Sequence, residues 1–190
     1  MINKIFIIHQ SKNTNRNIYI DDLIKSYPNY EIIEPIIPKD LSIYGGRRKN
    51  KKFIKAELSL TLTNLFILNH IIKNKLNNVI IFEDDAIQIN PLPILDTTAY
   101  SIYLHNFRHP KQPSHKIYDC QAMYYPSWKN TKKLYNYIKN ETKFLVWDNQ
   151  LQFIKEKYGL HNKLIQTNKM IFIQAPGKST IVTNYFNNRY

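Results

Sequence analysis

Cysteine occurs once in the 190 residues, at Cys120. That excludes an internal disulfide framework and suits a reducing, cytoplasmic compartment, the host cytoplasm if the source is a virus. As a lone thiol it reads most simply as a small buried apolar residue. No apolar run is long enough to span a bilayer. The opening strand-like run Lys4-Ile5-Phe6-Ile7-Ile8 is too short for a signal peptide and has no cleavage site after it. Acidic residues are few, 14 against 27 Lys and Arg, which leaves a formal charge of +13. Such an excess implies anionic company: phosphates, nucleic acid, acidic glycans or a membrane surface. Glycine, at four, is also scarce, while Asn, Lys, Ile and Tyr abound. That bias is what an AT-rich coding sequence produces, and it informs origin more than function.

What is present centres on Asn78-Val79-Ile80-Ile81-Phe82-Glu83-Asp84-Asp85-Ala86. Four consecutive apolar residues, rich in β-branched types, predict a short strand buried on both faces. Three carboxylates follow where that strand should end. Adjacent negative charges repel, so they call for a partner, and a hard divalent cation is the obvious one. In open α/β sheets the ligand site also lies at the carboxyl ends of the strands. The bland alternative is a solvated acidic turn that caps a helix.

Around this stretch the pattern predicts an α/β front half. Residues 4–8 read as a strand, Arg16 to Tyr27 as a helix, and Tyr30 to Ile37 as a second strand, a βαβ opening. A basic loop follows, Gly45-Gly46-Arg47-Arg48 and on to Lys51-Lys52. A long helix then spans Phe53 to Lys75, with Leu58, Leu62, Leu65, Phe66, Leu68, Asn69 and Ile72 on its apolar face. The rear half is mixed. Tyr100 to Leu104 and Ile117 to Tyr125 read as strands, the second a candidate for antiparallel pairing. Ser127 reads as the N-cap of a helix to about Asn140, and a further helix runs from Asp148 to Gly159. Short strands at Leu164 to Thr167 and Ile171 to Gln174 precede a polar tail. No linker or repeat divides the chain. The expectation is one domain over 1–190, with residues 1–90 as a nucleotide-binding half and 91–190 as an acceptor half. Its architecture matches the nucleotide-sugar-binding fold of many glycosyltransferases.

Three segments resemble glycosyltransferase family 25, the lipopolysaccharide and procollagen galactosyltransferase group, with relatives in large DNA viruses. The first is Ile8-His9-Gln10-Ser11-Lys12-Asn13-Thr14-Asn15-Arg16. The second is Ala56-Glu57-Leu58-Ser59-Leu60-Thr61-Leu62-Thr63-Asn64, where Thr63-Asn64 replaces a Ser-His pair. The third is Glu83-Asp84-Asp85, intact. Together they cover roughly the first half of the chain. The resemblance implies a GT-A-like fold with a mixed central sheet flanked by helices. It also implies transfer of a hexose from a nucleoside diphosphate sugar, such as a UDP-sugar, to a glycan or glycoprotein acceptor, with inversion and with Mn²⁺ or Mg²⁺.

Such transfer needs charge neutralisation on the leaving diphosphate, a crevice for the nucleotide and a base for the acceptor hydroxyl. Asp85 is the expected metal ligand, with Glu83 second. No histidine follows His161 to complete the set, which leaves the diphosphate and water as the other ligands. Glu83, Asp84, Asn64, Arg16 and His9 are the expected donor-binding residues, and Lys178 is expected to close over the diphosphate. In a chain that stays extended, Asp84 points away from its two neighbours. Asp148, in Trp147-Asp148-Asn149-Gln150, is the candidate base; a helix N-cap suits it equally. Trp147 fits either a sugar-stacking platform or the core. Gly177-Lys178-Ser179-Thr180 lacks the upstream glycine and the strand-to-helix context of a P-loop. His105, His109 and His115 show no metal-ligand spacing.

Two rivals use the same features. A basic nucleic-acid-binding protein would suit the charge and the 14 tyrosines, but it leaves the acidic triplet unexplained. A metal-dependent nuclease or phosphatase would need a second acidic cluster, and Asp96, Asp119 and Asp148 are scattered. A catalytically dead transferase-like domain is the third option.

Overall fold

The computed structural model describes residues 1–104 and 121–175. The elements run β1 (Lys4–Ile8), α1 (Asn17–Ser26), β2 (Tyr30–Ile33), α2 (Lys51–Lys73), β3 (Asn77–Glu83), β4 (Ala86–Gln88), β5 (Ser101–Tyr103), β6 (Ala122–Ser127), α3 (Trp128–Lys139), α4 (Trp147–Lys157), β7 (Leu164–Gln166) and β8 (Phe172–Gln174). A six-stranded mixed sheet has the order β2-β1-β3-β6-β5-β7. β1 pairs parallel with β2 and with β3, and β5 pairs parallel with β7. β6 lies antiparallel to both β3 and β5. So β6 alone runs against the other five. Helices cover both faces of this single α/β layer arrangement.

The period-2 alternation of the strands divides the core in two. Phe6, Ile8, Val79, Ile81, Met123 and Tyr125 pack on one face with α2, α3 and α4. Ile5, Ile7, Ile80, Phe82, Ala122 and Tyr124 pack on the other, with Ile20 and Leu23 of α1 and with Ala86 and Phe172 of a small β4–β8 pair. Val79 to Phe82 are all buried, as a strand between two neighbours and two helical layers requires.

β2 is shorter than the sequence pattern predicts. It pairs only over Tyr30–Ile33, because Pro35 supplies no N–H to a ladder. The buried stripe of α2 is also shifted. Its buried residues are Glu57, Leu58, Thr61, Thr63, Asn64, Ile67, Leu68 and Ile71, while Phe66 is exposed. Polar residues sit there because their bonds are made inside: Thr61 Oγ1 donates to the Leu145 carbonyl at 2.6 Å, and Asn64 Nδ2 to the Leu60 carbonyl at 3.0 Å. Ser127 caps α3 as expected, its hydroxyl accepting from the Asn130 N–H at 3.2 Å.

Candidate functional site

β1 and β3 end side by side, with Ile8 in register with Glu83. The chain does not stay extended there. Asp84 and Asp85 form a two-residue turn that carries β3 out of the main sheet and into β4. The turn is what overrides the expected alternation. Asp84 does not point away from its neighbour; both carboxylates face Arg16. Arg16 Nη1 lies 2.5 Å from Asp84 Oδ1 and 2.7 Å from Asp85 Oδ2. Arg16 comes from a 3₁₀ turn, Thr14–Arg16, directly ahead of α1. His9, the first residue after β1, places Nδ1 2.9 Å from Asp84 Oδ2.

Asp85 is 2% exposed. Gln174 Nε2 donates to its Oδ2 at 2.9 Å, and the Ala175 N–H donates to its backbone carbonyl at 2.7 Å. The other oxygen, Oδ1, is buried without a partner among the described residues. Burial pushes the Asp85 carboxyl above the usual carboxylate range, against the pull of the Arg16 guanidinium and the Gln174 amide. Burial opposes the charge on Arg16 as well, but the two carboxylates outweigh it and hold its pKa above the ordinary value.

A cleft of about 360 Å³ opens over this turn. Glu83, Asp84, Asp85 and Arg16 form its floor. Gln10 and Asn13 come from the loop after β1, and Glu34 to Pro38 from the segment after β2. The N-terminal part of α2 contributes Lys52, Lys55 and Ser59. The segment after β2 is tied to α2 by Thr63, whose Oγ1 accepts from the Ile36 N–H at 2.8 Å. The same hydroxyl donates to the Ser59 carbonyl at 2.7 Å. The cleft is thus bipolar, with the carboxylates of Glu34, Glu83, Asp84 and Asp85 and the cations of Arg16, Lys52 and Lys55 in one lining.

Of the residues expected from sequence, Glu83, Asp84, Asp85 and Arg16 line the cleft, and His9 stands behind Asp84. Asn64 does not line it; its side chain turns back on its own helix, 2% exposed. Asp148 does not line it either. It sits in the first turn of α4, where Oδ1 accepts from the Asn149 N–H at 2.7 Å, and Val146, not Asp148, is the N-cap. Trp147 is 1% exposed and belongs to the core. Lys178, Cys120 and His105, His109 and His115 lie outside the described residues. Sequence reasoning missed Gln174, Glu34 and Ser59 as members of the site. Lys52 lay in the basic run that the sequence marks, but its wall-forming role depends on where α2 begins.

The carboxylates have limited room for a cation. Both oxygens of Asp84 and one of Asp85 are engaged, which leaves Asp85 Oδ1. Among the described residues no three His, Cys, Asp or Glu side chains group so as to hold a metal. One carboxylate oxygen still fits a magnesium- or manganese-type site, where substrate phosphates and water supply most ligands.

A mixed sheet with one reversed strand, and an acidic turn closing its central strand over a crevice, defines a single-domain α/β protein. Among solved structures this fold is similar to that of a glycosyltransferase involved in the glycosylation of the major capsid of PBCV-1. The TM-score is 0.50 at 10% identity, over 88% of this chain and 82% of that one. No family model and no curated protein matches the chain. The resemblance to family 25 is carried by the three sequence segments alone.

Proposed function

We infer that the protein is a glycosyltransferase that takes a nucleoside diphosphate sugar in the cleft over Asp84-Asp85. The observation that carries this reading is the bipolar cleft at the carboxyl ends of β1 and β3, in a fold shared with a glycosyltransferase. An open α/β sheet binds its ligand at that end. Lys52 and Lys55 offer point charges to a diphosphate, and Arg16 offers a planar fork. Asp85 Oδ1 is the point at which the chain would hold Mn²⁺ or Mg²⁺. When bound, the cation supplies Lewis-acid neutralisation of the leaving diphosphate. His9 fixes the orientation of Asp84, and Gln174 that of Asp85. Glu83 is suited to the hydroxyls of the donor's ribose or sugar, since an ionised carboxylate only accepts hydrogen bonds. The donor as a UDP-sugar, the hexose, a glycan acceptor and inversion come from the family resemblance; Asp148 as base comes from its place in the sequence, and it stands outside the cleft lining.

Calorimetric titration of UDP, with Mn²⁺ and then with chelator, tests the reading. Parent protein is expected to bind UDP more tightly with Mn²⁺, and Asp85→Ala to lose that metal-dependent gain while keeping its circular dichroism spectrum. Unchanged UDP affinity in Asp85→Ala with Mn²⁺ present overturns the site assignment. Absence of nucleotide binding by the parent overturns the function.

A further inference from the structure

The Arg16 guanidinium stands where a cation shared by two neighbouring carboxylates would stand. One nitrogen, Nη1, reaches Asp84 Oδ1 at 2.5 Å and Asp85 Oδ2 at 2.7 Å. His9 and Gln174 take further lone pairs of the same two groups. Only Asp85 Oδ1 is left, buried and unpartnered among the described residues. A buried carboxylate pair without a counter-charge is strongly destabilised, so the donor-free protein needs Arg16 in this place. Yet Arg16 also lines the cleft, and its 3₁₀ turn has no buried residue to anchor it. A guanidinium in that position can exchange a carboxylate partner for a phosphate, which its planar fork can hold through two nitrogens.

We propose that Arg16 is an internal counter-ion that competes with the divalent cation for Asp84 and Asp85. Donor binding draws it onto the diphosphate and opens the acidic turn to the metal. The proposal rests on the reading of the cleft as a diphosphate site. Cation uptake then depends on the nucleotide, and by linkage the nucleotide depends on the cation to the same degree. Phosphates that ligate the cation couple the two by themselves, so the response of nucleotide-free cation binding to the charge on Arg16 is what marks the competition.

Mn²⁺ electron paramagnetic resonance, which reads free against bound ion, separates the two. Parent protein without nucleotide is expected to leave added Mn²⁺ largely free, and to bind it once UDP is present. Arg16→Met, which keeps length and removes charge, is expected to bind Mn²⁺ without UDP about tenfold more tightly than the parent. Arg16→Lys should restore the parent's behaviour. Should Arg16→Met fail to fold by circular dichroism, Arg16→Gln keeps a hydrogen-bonding end and carries the same expectation. A folded, uncharged variant with the parent's nucleotide-free Mn²⁺ affinity overturns the proposal, as does a parent that binds UDP yet takes up Mn²⁺ equally with and without it. Failure of UDP to bind at all defeats the function instead. In that case the nucleotide-free comparison of parent and variant still decides the competition.

Discussion

Glu57 is a carboxylate 5% exposed on the first turns of α2, and its two partners come from the loop before that helix. Arg48 Nε donates to Oε1 at 3.0 Å, and the Tyr44 hydroxyl donates to Oε2. Burial, then the bond to Glu57, pushes the Tyr44 phenol well above its ordinary pKa, so it remains a donor at any working pH. Gly46 is part of the same arrangement, since a Cβ there would run into the Tyr44 ring. The basic run of the sequence is therefore not simply a solvated loop: one of its arginines is tied to the helix whose Lys52 and Lys55 wall the cleft. Glu57→Gln leaves the amide oxygen to accept one bond and puts the amide NH2, itself a donor, against the other donor. It is expected to cost about 1–3 kcal/mol of stability, as an unsatisfied buried donor does, read from urea unfolding midpoints. The Arg48 bond is charge-assisted with glutamate, so the upper part of that range is the expected outcome.

At the scale of elements, two helices end in the same way with different residues. After α4, the Leu160 N–H bonds the Lys155 carbonyl at 2.9 Å and Gly159 N–H bonds Glu156 at 3.4 Å, with Gly159 at φ +65°. After α2, the Leu76 N–H bonds Ile71 at 3.0 Å and Lys75 N–H bonds Ile72 at 3.3 Å, with Lys75 at φ +52°. Both are Schellman closures, in which a left-handed residue satisfies the last free carbonyls. Glycine enters that conformation without penalty, whereas a lysine Cβ meets a carbonyl oxygen. Lys75→Gly is expected to stabilise the protein by about 1 kcal/mol, visible as a raised urea midpoint with unchanged slope. The closure also matters for the site. It turns the chain from α2 straight into β3, whose far end carries Asp84 and Asp85. α2 and β3 therefore run antiparallel, so the first turns of the one and the last residue of the other meet at the cleft.

For the whole molecule, the charge of +13 remains the feature that a nucleic-acid-binding protein would share. Non-specific attraction between basic surface and phosphate backbone is driven by counterion release and falls steeply with salt. A phosphate held by Arg16, whose side chain is 14% exposed, is screened less. Raising NaCl from about 50 to 200 mM is expected to abolish binding to a single-stranded oligonucleotide, with a loss on the order of 10³-fold. UDP binding with Mn²⁺ should weaken far less over the same range. Parallel fluorescence anisotropy and calorimetric titrations check this. Salt-resistant, sequence-dependent oligonucleotide binding would instead favour the nucleic-acid reading. No described helix is long and apolar enough to cross a membrane.

Local pattern alone made much of this protein legible. The apolar quartet Val79-Ile80-Ile81-Phe82 marks a central strand, because only a strand with neighbours on every side tolerates such a run. The carboxylates at its end mark the site, because adjacent charges at a strand terminus need a partner. β1, α1, α2, α3 and α4 follow from period and caps in the same way. Contacts between residues far apart in sequence were decided by the tertiary structure. Gln174 reaches Asp85 only because β8 pairs with β4, an antiparallel match across more than eighty residues that no local pattern encodes. Asp84 faces Arg16 because the chain turns between two sheets, which reverses the alternation that an extended strand would impose. Asn64 left the site for the core because its amide finds a carbonyl on its own helix. Periodicity records which residues avoid water. It does not record which buried polar group will find a partner, and that pairing set the composition of the cleft.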